Sequence, residues 1–152
     1  MSNKSLHIGL LAPDLSHAHG WAQAALSTVE ALGRAGVQMT VVTARNSPDV
    51  PGLTLHKLLP NITPQESLLP LRQWLTLRAL QPLLHDCDLI HALVEPYAPL
   101  ARWLSSGRPY VVTGHGTYVQ LGQLTRWPFS PIYQRALGGA QLACVSQYTA
   151  HV

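Results

Sequence analysis

Charge is scarce in this chain: acidic and basic side chains make up 11% of its 152 residues. Lys4 and Lys57 are the only lysines among ten basic residues, and the net charge of +3 contains no basic run. With no aromatic RNA-binding motif either, nucleic acid is excluded as the expected partner. Cysteine is nearly absent. Cys87 and Cys144 stand alone, without a CxxC pairing, which excludes a zinc ribbon or a redox couple. Both lie beside expected strands and read as buried free thiols in a reducing compartment. No apolar stretch is long enough to cross a bilayer, and Ile8–Ala12 is too short for a secretory h-region, so a cytoplasmic location is expected.

Several catalytic signatures are missing as well. The chain has no GxGxxG and no GxxxxGK[ST], which disfavours a standard dinucleotide fingerprint and a P-loop kinase. It has no nucleophile elbow, no Ser-His-Asp order and no carboxylate pair in glycosidase arrangement. His17 and His19 stand two apart, but nothing supplies a third ligand, so no metal site is assigned.

What is present is a globular composition, 47% hydrophobic, of the length of one domain. Apolar runs alternate with helical spacing. Strands are expected at Leu6–Ala12, Val37–Thr43, Leu53–Leu58 (edge-like), Asp88–Leu93, Tyr110–Thr113 and Gln141–Val145. Helices are expected at Trp21–Ala35, Pro70–Gln81 (with Pro82 bending or ending it), Pro96–Ser106 and Pro131–Leu137. A further helix is expected to start at Ser146. The alternation implies right-handed βαβ crossovers: an α/β, Rossmann-like, mostly parallel sheet with helices on both faces.

In such a sheet the carboxyl ends of the strands carry the chemistry. The first strand runs through the Pro13–Gly20 loop into a helix whose free N–H groups suit an anion. The fourth is followed by His91 and Glu95, the fifth by Gly114–His115–Gly116, and the sixth by Ser146. His91 is readable equally as a hydrogen-bonded core residue, and Glu95 as a solvated acid. His115 differs, because a core histidine needs no glycine on either side; its imidazole suits a sugar hydroxyl. Two apolar clusters also stand out: Leu71, Trp74 and Leu75 on one side of the Pro70 helix, and a second, exposed one at Leu124, Trp127 and Phe129 beside Arg126. Each fits burial, a missing partner domain, or contact with an anionic membrane surface.

Four segments, HIGLLAPDLSHAHGW, DLIHAL, PYVVTGHGTY and AQLACVSQYTAHV, resemble in order and spacing the N-terminal domain of glycosyltransferase family 4, retaining enzymes of the GT-B fold. The resemblance implies one Rossmann-like acceptor-side half of a two-domain enzyme, its donor-binding C-terminal domain lying outside residues 1–152. It implies His115 as the catalytic histidine beside the transferred sugar. Donor contacts fall to Gly20, Trp21, Gly114, Gly116 and Ser146, and acceptor contacts to His19, His91, Glu95 and Tyr118. Trp21 departs from the pattern, since many members carry a second glycine there. The implied reaction moves a sugar from a nucleotide-sugar donor to a glycan, lipid or small-molecule acceptor, with no metal or other cofactor, in the cytoplasm or at the inner face of the membrane. The competing reading of the residues is a non-catalytic binding or adaptor module.

Overall fold

The computed structural model describes residues 5–62, 68–116 and 128–146. Six strands form one parallel sheet: β1 (His7–Ala12), β2 (Gln38–Ala44), β3 (Leu55–Leu59), β4 (Leu89–Ala92), β5 (Tyr110–Gly114) and β6 (Gln141–Cys144). Their order is β3-β2-β1-β4-β5-β6, so the chain winds outward in both directions from β1 and β4. This is the doubly wound order, and the crevice where the winding reverses is where such sheets bind ligands.

The strands are apolar on both sides because helices cover both faces. Along β1, Ile8, Leu10 and Ala12 pack toward Ala25, Leu26 and Val29 of α1 (Gly20–Arg34). Leu11 faces the other way, into the cluster containing Leu80 and Leu84 of α2 (Leu69–Leu84), Leu100 and Leu104 of α3 (Ala98–Ser105) and Ala136 of α4 (Ser130–Gly138). Gly9 faces that second side too. A Cβ there would lie 2.8 Å from Leu84 Cδ2 and 3.0 Å from Ile90 Cδ1, so those two side chains would have to shift to admit it.

Four expectations change. The helix expected to bend or end at Pro82 runs through it to Leu84. The bond that Pro82 cannot donate would go to the Arg78 carbonyl, and both residues lie on the exposed side, where water satisfies that oxygen. The helix expected from Pro96 is divided into a 3₁₀ turn, Glu95–Tyr97, and α3. Cys87 is buried as expected, but Cys144 is exposed, because β6 is an edge strand with all four residues open. Phe129 is half-buried against Tyr133 rather than exposed. Leu124, Arg126 and Trp127, and the helix expected after Ser146, lie outside the described residues.

Candidate functional site at the carboxyl edge

The strand β5 ends at Gly114, and His115 and Gly116 turn away from the sheet. Gly116 has φ +82°, a left-handed conformation that a side chain resists, which gives the second glycine a backbone role. The turn is held from the neighbouring strand. Glu95, three residues beyond the end of β4, is 1% exposed. Its Oε1 accepts the backbone N–H of His115 at 2.6 Å and of Gly116 at 2.9 Å. Successive N–H groups converging on one anion form a strong cradle, and here the anion belongs to the chain itself. Glu95 Oε2 is also buried and has no hydrogen-bond partner among the described residues.

The same strand end sets the imidazole. His115 Nε2 lies 2.9 Å from the Leu93 carbonyl oxygen. A carbonyl only accepts, so Nε2 carries the hydrogen. In the neutral ring Nδ1 is then the bare acceptor, and it has no partner among the described residues. The Leu93 N–H in turn bonds the Leu11 carbonyl at 2.9 Å, which fastens the support to β1 at the crevice. His115 is half-buried, so its ring is fixed yet reachable.

His91 sits within β4, level with Leu10 of β1 and Val111 of β5. Its Nε2 is bonded to Thr113 Oγ1 at 2.8 Å. Burial lowers its pKa to about 4, so it is neutral near pH 7. It supports the β5 end from below instead of reaching the open edge.

On the other side of the crevice, β1 passes through a loop tied to β2. The Ala44 N–H bonds the Pro13 carbonyl at 3.2 Å, and the Leu15 N–H bonds Ser47 Oγ at 3.1 Å. The loop ends at His19, the N-cap of α1, which makes no side-chain capping bond. The first-turn N–H groups therefore have no side-chain cap, and an ideal Cβ on Gly20 would meet nothing within 4 Å. Trp21 is half-buried against the core, with its ring stacked on His19 at a centroid separation of 5.7 Å.

The structure thus brings Gly114, His115, Gly116 and Glu95 together and places His91 beneath them. It puts His19, Gly20 and Trp21 on the loop across the crevice, at the same sheet edge. Ser146 follows β6 and is exposed. Tyr118 lies outside the described residues. Two expectations meet a physical obstacle. Glu95 is not solvated but buried against the turn; and Gly116, expected among the donor contacts, has its N–H already bonded to Glu95. Leu93 and Thr113 were not legible as contributors, because one acts through its carbonyl and the other through an adjacent strand. Among the described residues no three His, Cys, Asp or Glu side chains gather as a metal-holding group.

A parallel sheet in the doubly wound order, covered by helices on both faces, defines a Rossmann-like domain. The chain belongs to glycosyltransferase family 4, whose family model matches residues 18–152. Among solved structures it is similar to an alpha-glucosyltransferase in complex with UDP and a 13-mer DNA containing a central A:G mismatch. That likeness has a TM-score of 0.52 at 16% identity, covering 95% of this chain and 38% of that one, so it speaks to the fold. No curated protein matches the sequence.

Proposed function

We propose that this domain is the acceptor-side half of a retaining glycosyltransferase that moves a sugar from a nucleotide-sugar donor to a glycan, lipid or small-molecule acceptor. The observation that carries the reading is His115: its ring is fixed by the Leu93 carbonyl and its Nδ1 is left without a partner among the described residues, in a family 4 domain. In this role Nδ1 accepts a hydrogen bond from a hydroxyl of the transferred sugar. Glu95 acts as a positioning residue, holding the backbone on which that ring depends. The uncapped N–H groups at Gly20 and Trp21 face the donor diphosphate, where the helix dipole offsets developing negative charge.

In the proposed reaction the bond from the anomeric carbon to the diphosphate oxygen breaks. A bond from that carbon to the acceptor oxygen forms on the same face. The acceptor proton passes to a phosphate oxygen of the leaving nucleotide, so no separate base is required. A second Rossmann-like domain supplies the rest of the donor site, no metal is assigned a role, and the buried Cys87 thiol suits a reducing cytoplasm.

In the complete enzyme, His115→Ala is expected to lower kcat/KM by about 10²-fold or more, the scale of losing one oriented hydrogen bond in the transition state. Thermal unfolding of the variant should be close to that of the parent. Parent-like turnover would remove His115 from the site.

A further inference from the structure

The helices α1 and α2 cover opposite faces of one sheet, and their outward sides differ in kind. The exposed positions of α1 include Gln23, Ser27, Glu30 and Arg34, an ordinary wet face with an ion pair between Glu30 and Arg34 at 3.8 Å. Along α2, Leu71, Trp74 and Leu75 are 48%, 58% and 66% exposed, and Leu68 at its N-cap is 53% exposed. Spacings of three and four bring Leu71, Trp74, Leu75 and Arg78 to one side. Leu80 and Leu84 on the opposite side already fill the core, so the outward residues are surplus to folding. Arg72 and Arg78 are exposed on the same helix, and Leu69–Leu84 contains no acidic residue.

Leucine and tryptophan interleaved with arginine, without a carboxylate, suit a helix lying at the level of lipid headgroups. An uncharged protein partner would not favour arginines in the middle of its contact. An anionic surface does, and the net charge of +3 has the same sign. No helix among the described residues is long and apolar enough to cross a membrane, so contact would be lateral. We propose that the outward side of α2 docks in the plane of an anionic bilayer, with Leu68, Leu71, Trp74 and Leu75 at the acyl boundary and Arg78 at the phosphates. Since β3 is parallel to its neighbours, α2 starts from the carboxyl edge, so Leu68 at its N-cap lies at the same edge of the sheet as His115.

The proposal does not rest on the transfer reaction, and its test contains neither donor nor acceptor. The chain is sedimented with phosphatidylcholine vesicles, with and without phosphatidylglycerol. Binding is expected only with the anionic lipid and should fall as salt rises. Arg78→Glu and the double variant Leu71→Ser with Leu75→Ser should each weaken binding roughly tenfold or more. Both should retain the parent's circular dichroism and thermal midpoint, because the changed side chains are exposed. A chain that stays in the supernatant with every lipid overturns the proposal. So does equal binding to neutral vesicles, binding unaffected by the variants, or a lipid-free dimer that the same variants dissociate, which would make a second copy the occupant.

Discussion

At the amino end of the sheet the polar groups close on one another. Asp88 accepts the His7 N–H at 3.0 Å, and His7 Nε2 meets Thr40 Oγ1 at 2.9 Å. Arg108 donates to the carbonyls of Leu84, His85, Cys87, Leu104 and Ser105, fastening the ends of α2 and α3 to the start of β4. Burial pushes the Cys87 thiol up, which disfavours the thiolate. At the carboxyl end the same kinds of groups stop one bond short. His115 keeps a bare Nδ1, Glu95 keeps a buried Oε2, and α1 begins without a side-chain cap. The amino end even has a depression of about 650 Å³ lined by His7, Asp88 and Arg108. Volume therefore does not separate the two edges here; a buried carboxylate oxygen left without a partner among the described residues, on a fixed scaffold, does.

The comparison breaks most easily at Arg108. If its donors serve only structure, Arg108→Ala should destabilise the domain by about 3–4 kcal/mol, since several charge-assisted bonds to helix-terminal carbonyls go at once. Urea unfolding of the variant should show a lower midpoint at an unchanged slope. A midpoint near the parent's would mean that water replaces the guanidinium, and that the amino end is as open as the other.

The next effect in size is at Glu95, and it separates anchoring from charge. Glu95→Ala leaves the N–H groups of His115 and Gly116 without their acceptor, at an expected cost of about 2–3 kcal/mol. Glu95→Gln keeps a carbonyl oxygen in place and should cost about 1 kcal/mol or less. Amide exchange read at His115 and Gly116 should be fast in the alanine variant and close to the parent in the glutamine variant. Equal protection in all three proteins would show that the turn stands without its carboxylate.

Much of this scaffold was legible from local pattern. The β-branched runs, the glycine stops and the alternation with helical spacing located all six strands and the parallel class, because a doubly covered sheet leaves a continuous apolar signature. His115 was legible for the same local reason, through its flanking glycines. The failures were those of distance. Pro82 reads as a breaker unless the solvent side of α2 is known, and Cys144 reads as buried unless β6 is known to be an edge. Glu95 reads as a solvated acid because its partners lie twenty residues on, across a strand boundary. One signal was available: an acid placed directly after the buried run of β4 and before Pro96 has little access to water and must find donors inside.

His91 lies near the carboxyl edge yet is buried and tied to Thr113, and pH tests whether it stays neutral there. Burial lowers its pKa from 6.5 to about 4 in the folded domain. Between those values the unfolded chain holds a proton at His91 that the folded chain does not. The stabilising contribution is therefore complete above pH 6.5, declines as pH falls toward about 4, and levels off below it. Allowing for partial exposure, the loss over that window should be about 2 kcal/mol. His91→Gln carries no titrating ring, so unfolding free energies of parent and variant should converge as pH drops from 7 to 4. Parallel curves would mean that the imidazole is protonated in place, which Thr113 Oγ1 could accommodate as an acceptor. His91 would then belong with His115 among the titratable groups open to solvent at the carboxyl edge.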